Sequence, residues 1–222
     1  RHYEVLAYRA GDGQFATLFT DVTERRRRQE EIRASNQRLQ LISATAGLLL
    51  ETADPQTAVD TIARRLLDAL DCHVYLNYLA EPGQDRLRLH TSAGITEDMC
   101  QDLEWLDYGE SVSGWVARSR ARRVESHIGR SSDPLLRVVR SMGLEAYACY
   151  PLVSKGRLLG TLAFGSRTRD DFSPDDLSLM QVIAGQVAVA VERRQAEELL
   201  QSLYEAQSHI AERLQAALLE LP

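Results

Sequence analysis

The chain has 222 residues, 44% of them hydrophobic and 26% charged, which suffices for one full domain with extensions. The formal net charge of -6 argues against a broad surface for nucleic acid. The longest apolar run near the C-terminus, Val187–Val191, is far shorter than a membrane span. Because the sequence opens without an initiator methionine and stops at Pro222, we expect a piece of a longer polypeptide.

The three cysteines bear on redox chemistry and on location. Cys72, Cys100 and Cys149 are widely spaced, with no C-x-x-C pair. This spacing argues against a disulfide framework and against a zinc knuckle, so we predict no metal site. It is consistent with a reducing compartment, and we predict a cytoplasmic location, without membrane or nucleic acid as a partner.

The first twenty residues predict a β-hairpin. His2–Arg9 and Gln14–Thr20 alternate as strands do, and Gly11–Gly13 supplies a turn. Two strands alone are only marginally stable in water. We therefore interpret residues 1–20 as the trailing edge of a truncated domain.

A helical pattern follows over residues 21–52. Asp21 and Glu24 form a capping-box-like pair, with Thr23 as the alternative cap. Apolar residues then follow one stripe, with regular three- and four-residue spacing after Leu39: Ile32, Leu39, Ile42, Ala46 and Leu49. We expect Leu39 and Ile42 to face a paired helix, and the arginines at 25–28 to form a solvated face.

Between these helices and the C-terminus, helical and strand patterns alternate. Thr57–Leu70 predicts an amphipathic helix, and the turn-rich Glu81–Asp85 separates two strands. The predicted strands are Cys72–Ala80, Arg86–Ser92, Arg122–Glu125, Ala146–Val153 and Leu158–Ser166, and the further helices are Glu97–Leu106, Gly109–Ser119 and Pro134–Met142.

The last predicted helix runs from Pro174 to Pro222, with Ser173 as its N-cap. Up to Val191 it is apolar on more than one side, which predicts packing on a sheet. Beyond Val191, a seam alternates at four and three residues: Ala196, Leu200, Leu203, Gln207, Ile210, Leu214, Ala217 and Leu221. A seam of this length predicts a partner helix, most simply from a second copy in a parallel dimer.

Four phrases of the middle segment, about Leu39 to Arg194, resemble a GAF domain. They are Y-G-E-S-V-S-G-W-V-A (Tyr108–Ala117), S-M-G-L-E-A-Y-A-C-Y-P-L (Ser141–Leu152), G-R-L-L-G-T-L-A-F-G (Gly156–Gly165) and F-S-P-D-D-L (Phe172–Leu177). The resemblance implies an α/β fold of the α+β type, with a six-stranded antiparallel sheet, helices on one side and a ligand-sized cavity on the other. We expect long N- and C-terminal coiled-coil helices to flank it.

Both ends of the chain carry shorter resemblances. The opening stretch is similar to the last two strands of a PAS domain, and Asp21-Val22-Thr23 matches the D-x-T with which PAS domains hand over to a signalling helix. The tail His209–Leu219 resembles the helix before a phosphatase 2C-like domain in bacterial regulators of the stress response. A sensor histidine kinase of a two-component system is the competing parent, although Ile210 argues against His209 as its phosphoacceptor.

These resemblances imply a domain plan: residues 1–20 as the end of a PAS domain, 21–52 as a signalling helix, 39–194 as the GAF domain, and 195–222 as a coiled-coil linker to an output domain. In a GAF pocket, Trp115, His127, Tyr147 and Cys149 are the candidate lining residues. Aromatic residues and a lone cysteine on amphipathic elements are more often plain core.

The ligand and the cofactor stay unknown at this stage. The motif of cyclic-nucleotide-binding GAF domains is incomplete, because Leu177 stands in place of its glutamate and Gly165–Arg167 offers no Asn-Lys pair. Asp176 is then a charge at a helix N-terminus. Bilin attachment needs a cysteine followed by histidine after the middle strands, whereas Cys72-His73 opens a strand.

We therefore predict a regulatory module and not an enzyme. A ligand or an upstream domain would act through paired helices on a C-terminal output domain. The alternative is a structural dimerisation and spacer module whose cavity is filled by its own side chains. Methionine sulfoxide reduction, known in some small GAF proteins, needs several suitably placed cysteines, which the three here do not obviously supply.

Overall fold

The computed structural model describes residues 2–11, 14–25, 28, 67 and 69–219, and the chain divides into the units Arg1–Ala44 and Thr45–Pro222. Side-chain surroundings are described as far as His209 in the last helix. Most of the predicted helices at 21–52 and Thr57–Leu70 lies outside the described residues, as do Leu39 and Ile42 with their predicted pairing.

The first unit opens with the predicted hairpin. Strands β1 (Tyr3–Gly11) and β2 (Gln14–Asp21) pair antiparallel. The Thr23 N–H donates to Asp21 Oδ1 at 2.9 Å, so Asp21 is the residue that caps the helical turn beginning at Thr23. The apolar side chains whose surroundings are described are all exposed: Tyr3, Val5, Leu6, Leu18 and Phe19.

The second unit is built on a six-stranded antiparallel sheet, which confirms the predicted α+β class. Its strand order is β5-β4-β3-β8-β7-β6. The strands are β3 (Val74–Ala80), β4 (Arg86–Ala93), β5 (Trp105–Asp107), β6 (Arg123–Glu125), β7 (Ala146–Ser154) and β8 (Arg157–Ser166). The described helices are α1 (Glu97–Asp102), α2 (Ser111–Ser119), α3 (Arg137–Ser141) and α4 (Pro174–Leu219), with 3-10 turns at Ile128–Arg130 and Pro134–Leu136.

Two predicted helices are shorter than expected. The helix predicted at Glu97–Leu106 ends at Asp102, and Trp105–Asp107 instead forms the edge strand β5 against β4. Leu106 alone of this strand is buried, and Arg86 Nε lies 2.8 Å from Asp107 Oδ1. Pairing with β4 therefore overrides the helical pattern of the segment.

The segment Pro134–Met142 is also divided, because a 3-10 turn over Pro134–Leu136 precedes α3. Asp133 Oδ1 accepts from the Leu135 N–H at 2.9 Å, so Asp133 caps this turn as expected. Gly143 closes the segment with a φ of +70°, the left-handed conformation that glycine adopts without strain.

The two faces of the sheet bury different elements. On one face, Leu76 and Tyr78 of β3 share a core cluster with Tyr147 and Cys149 of β7 and with Val116 of α2. The long helix α4 packs on the other face and buries apolar side chains there: Leu179, Met180, Ile183, Ala184, Val187 and Ala188. We call these the α2 face and the α4 face.

The α4 face is closed by aromatic contacts and by the β7–β8 turn. The Tyr150 hydroxyl donates to the Leu177 carbonyl at 2.9 Å, and the Tyr75 and Phe164 rings lie 5.8 Å apart. Ser154 Oγ lies 2.6 Å from Glu192 Oε2. The Tyr150 and Ser154 contacts join β7 to α4, near Leu177 and at Glu192, and fix the helix against the sheet.

Candidate ligand site and signal helix

The α2 face holds a very small cavity where the resemblance led us to expect a ligand-sized one. Its volume is about 10 Å³. The side chains around it are Leu76, Tyr78, Leu103, Leu106, Ser111, Val112, Ser113, Val138, Val139, Met142 and Tyr147. A cavity must reach about 10–15 Å³ to hold one water molecule. The expectation of a ligand-sized cavity is therefore wrong for this position, because the protein's own side chains fill it.

Tyr147 and Ser113 of α2 line this cavity, and Cys149 contacts Ser113 without lining the cavity itself. The hydroxyls of Tyr147 and Ser113 lie 3.3 Å apart, and Cys149 Sγ lies 3.7 Å from Ser113 Oγ. Sequence reasoning missed Ser113. The sequence signal for it was the S-V-S-G segment, in which small and apolar residues indicate burial. Val112, Ser113 and Gly114 are indeed all buried in α2.

Trp115 and His127, the other two candidates, do not contribute to that cavity. Trp115 is half-buried, and the Arg123 guanidinium lies over its ring, with Arg123 Cζ 5.1 Å from the ring centre. His127 is exposed, has a φ of +52° and donates its backbone N–H to the Asp170 carbonyl at 3.1 Å. Trp115 thus packs against the edge of the core cluster that contains Tyr147 and Cys149, whereas His127 is exposed.

Two of the three thiols are buried and protonated at neutral pH. Burial raises the pKa of Cys149 to about 12, although hydrogen bonding to Ser113 acts in the opposite direction. Burial also raises the pKa of Cys72 to about 12. A thiol nucleophile needs the opposite shift, toward the thiolate. Cys100 is half-buried, with its Sγ 3.3 Å from Ser92 Oγ.

Asp176 serves the N-terminus of α4. The Ser173 N–H donates to Asp176 Oδ2 at 3.1 Å, and the Asp176 N–H donates to Ser173 Oγ at 3.2 Å, which is a reciprocal capping box. Arg169 Nη2 lies 2.6 Å from the same carboxylate oxygen. All the described contacts of Asp176 thus hold the start of the helix.

We expect Asp176→Ala to lower the free energy of unfolding by about 2 kcal/mol at neutral pH, since it removes a cap and leaves Arg169 without its carboxylate. Burial raises the pKa of Asp176, but hydrogen bonds from Ser173 and Arg169 outweigh it, and the net pKa is lowered from 3.8. The advantage of the wild type is therefore complete above the unfolded pKa and disappears as the pH falls through the lower folded pKa.

Urea unfolding of both proteins at neutral and at strongly acidic pH measures this difference. Asp171→Ala is the matched control, because it removes an exposed carboxylate from the same loop. A difference that stayed constant down to strongly acidic pH would contradict the role of the Asp176 carboxylate.

The seam predicted on the last helix is present and exposed where it is described. The exposed fractions are 67% for Leu200 and 58% for Leu203. Ile210 and Leu214 lie within α4, and their side chains are outside the description. Seven-residue steps back from Leu203 lead through Ala196 to Val189 and Val182, which are 63% and 42% exposed. The exposed stripe therefore begins on turns whose opposite side is buried on the sheet.

Two kinds of feature are absent from the residues that the structure describes. No helix among them combines the length and the apolar character needed to cross a membrane. Within the same part of the chain, histidine, cysteine and acidic side chains form no group of three or more that could hold a metal ion.

Comparison with known proteins agrees with this architecture. The family model described as GAF domain matches residues 54–191. The GAF domain of the phosphoenolpyruvate-protein phosphotransferase from Acinetobacter superposes with a TM-score of 0.62 at 15% identity, covering 73% of this chain and 97% of that one. Free methionine-R-sulfoxide reductase from Neisseria meningitidis superposes with a TM-score of 0.61 at 19% identity, covering 72% of this chain and 91% of that one.

A third similar structure is the NLH2 GAF domain of A. aeolicus in an inactive state, with a TM-score of 0.58, 14% identity, and coverage of 72% of this chain and 99% of that one. No curated protein matches the sequence. At such identities the structural matches show the fold alone, whereas the family model matches more than half of the chain. This chain belongs to the GAF domain family.

Proposed function

We propose that this chain is a cytoplasmic regulatory module that acts as a homodimer and transmits a signal along α4 to an output domain. The observation that carries the proposal is the exposed apolar seam of α4, with Leu200 and Leu203 at 67% and 58% exposure. Such a seam is stable in water when a second helix covers it. A second copy of α4 carries the same seam in the same register.

The continuity of α4 supports transmission. Residues of its first turns, such as Ile183 and Val187, are buried on the sheet, and Leu203 follows in the same 46-residue helix. A shift of the helix on the sheet therefore moves the seam as well. A ligand or an upstream domain that favours one packing of α4 biases the register of the helix pair, and through it the output domain.

The two ends of the chain support the wider arrangement. In β1 and β2 the described large apolar side chains, such as Val5 and Phe19, are exposed, as expected for strands that belong to a larger PAS sheet. The output domain in this proposal is a phosphatase 2C-like domain, as the tail resemblance suggests, or a histidine kinase, which is the competing parent. The similar GAF domain of A. aeolicus was crystallised in an inactive state.

A second candidate function is a structural dimerisation and spacer module. The cavity of about 10 Å³ on the α2 face favours it, because a domain without space for a metabolite there still presents α4 for pairing. Both candidates require the dimer and differ in whether the module senses a ligand.

Native mass spectrometry of the full chain tests the shared requirement. We expect a species of twice the 24.9 kDa chain mass, because the seams of two α4 helices cover each other. A dimer with a reproducible added mass favours the sensory function. A dimer without one favours the spacer, and a monomer at micromolar concentration contradicts both.

A further inference from the structure

The second unit has an open cleft of about 500 Å³ at the edge of the sheet where α2 ends and β8 begins. The β3–β4 turn, the C-terminal end of α2, the first residues of β8 and Gln195 of α4 line it. Ligand pockets in proteins have volumes of about 300–1,000 Å³, so the cleft is large enough for a small molecule. It is separate from the cavity on the α2 face.

A smaller cavity of about 120 Å³ lies beside α4, next to Asn77. The Asn77 amide is buried and has no hydrogen-bond partner within the described part of the chain. Because its polar atoms have almost no accessible surface, a molecule in that cavity would not reach them. The larger cleft is different, since charged groups that line it are exposed to solvent.

Three arginines with exposed side chains line the large cleft: Arg118, Arg120 and Arg157. Each guanidinium donates one hydrogen bond to an uncharged oxygen, in that order to the carbonyl of Tyr108, to the carbonyl of Gly156 and to Oε1 of Gln195. A guanidinium carries five N–H groups, so each of the three keeps donors for a further partner. The bonds to uncharged oxygens hold the guanidiniums in place without neutralising them.

The charges of these arginines are not compensated by ion pairs. None of the three lies within ion-pair distance of a carboxylate in the part of the chain that the structure describes, although Glu81 and Asp85 also line the cleft. A neighbouring cleft shows the contrast, because Arg88 Nη2 lies 3.2 Å from Glu104 Oε1 there. Three unpaired guanidiniums in one cleft favour the binding of an anion.

The backbone of Arg120 supports a role for its side chain. Arg120 follows the last turn of α2 with a φ of +55° and a ψ of +22°, which is the left-handed conformation. Glycine is the usual residue at this position after a helix, because a side chain makes the conformation less favourable. Arg120 thus places a guanidinium in the cleft at a position where glycine would suit the backbone better.

We propose that this cleft binds a small phosphate monoester, whose phosphate accepts hydrogen bonds from Arg118, Arg120 and Arg157. The planar fork of a guanidinium matches phosphate oxygens, and a phosphate monoester carries nearly two negative charges at neutral pH. Tyr108 and Leu158, both half-buried in the lining, offer surface to the rest of the molecule.

The cleft adjoins the signal helix. Arg157 Nη2 donates to Gln195 Oε1 at 2.9 Å, and Gln195 lies between Ala188, which is buried on the sheet, and the exposed Leu200. A phosphate that competes for Arg157 changes this contact between β8 and α4. The inference therefore deepens the proposed sensory function, and its regulatory meaning rests on that function, whereas binding itself requires only the cleft.

The probe for the test is phenyl phosphate, a monoester whose ring is small enough to lie against Tyr108. The ³¹P NMR signal of the probe, titrated with the full chain in a buffer without phosphate or sulfate, measures binding. We expect saturable binding that weakens as the concentration of NaCl rises, because the contacts are between exposed charges. Phenol, followed by its own ¹H signals, should not bind at the same concentration.

Arg120→Gly removes one guanidinium and supplies the residue that the backbone conformation favours. We expect this variant to unfold cooperatively on heating, as the wild type does, and its dissociation constant for phenyl phosphate to be at least about tenfold higher. Arg157→Gln is an independent variant with the same expected loss. Arg137→Gln is its matched control, because Arg137 is an exposed arginine of α3 that does not line the cleft.

Four results would each overturn the proposed site: no saturable ³¹P change, equal binding of phenol, wild-type affinity in Arg120→Gly and Arg157→Gln, or equal weakening by Arg137→Gln. The last result would mean that the probe binds any surface arginine. A dimer that does not bind phenyl phosphate loses this site and keeps the relay, whereas a monomer that binds it loses the relay and keeps the site.

Discussion

Leu203→Glu is expected to abolish the proposed dimer. Leu203 lies in the middle of the described seam, and pairing with a second copy would bury its side chain. An unpaired buried charge costs about 3 kcal/mol or more, which raises the dissociation constant by at least about 100-fold. Sedimentation equilibrium over a range of concentrations measures this change.

Ser202→Glu is the control for Leu203→Glu. It places the same charge one residue away, at an exposed position of α4 that lies off the seam. This variant should associate as tightly as the wild type. If Leu203→Glu also associated like the wild type, the paired-helix arrangement would be wrong, and both candidate functions with it.

Gly160→Ala is expected to remove a large part of the stability of the sheet. Gly160 lies in β8, where it is paired with Leu79 on one side and Leu152 on the other. A Cβ at Gly160 would lie 1.9 Å from the Tyr78 carbonyl oxygen. Because β8 is bonded to strands on both sides, the backbone has little room to move away. We expect a loss of about 3 kcal/mol or more in the free energy of unfolding, measured by urea denaturation.

Gly185→Ala provides the opposite case within α4. A Cβ at Gly185 meets no atom within 4 Å, and alanine is favoured over glycine inside a helix by about 0.8–1 kcal/mol. The same denaturation experiment should therefore show a gain in stability. Equal stability of Gly160→Ala and wild type would contradict the close approach of β8 to β3.

The longer elements of the fold were predictable because their patterns are local. β7 and β8, of nine and ten residues, are nearly continuous apolar runs that are buried on both faces, and Ser173 and Pro174 mark the start of α4. The three-residue strand β5 was not predictable, because its single buried residue, Leu106, cannot form a repeating pattern in the sequence. Its conformation depends on β4, which lies beside it only in the folded sheet.

The candidate site was predictable only in part. Tyr147 and Cys149 belong to one strand and share a face by alternation, so their proximity follows from the pattern. His127 and Trp115 lie in other elements, and their distances from Tyr147 depend on how those elements pack. Asn77 carried a visible signal, a polar residue inside the apolar strand Val74–Ala80. Its lack of a partner depends on what faces it across the sheet.

Within the sequence, the phrases that resemble a GAF domain predicted the family and the antiparallel sheet. The seam of apolar residues on the last helix was predictable from its spacing, because periodic burial and helix caps act between near neighbours in the chain. Only the tertiary structure decided which spaces stay open. Side chains from several elements leave only about 10 Å³ between Tyr147 and Ser113 on the α2 face, while a cavity of about 120 Å³ remains beside Asn77 and α4. The physical reason is that a cavity is the space left where segments distant in the sequence pack together, so no local sequence pattern can predict it.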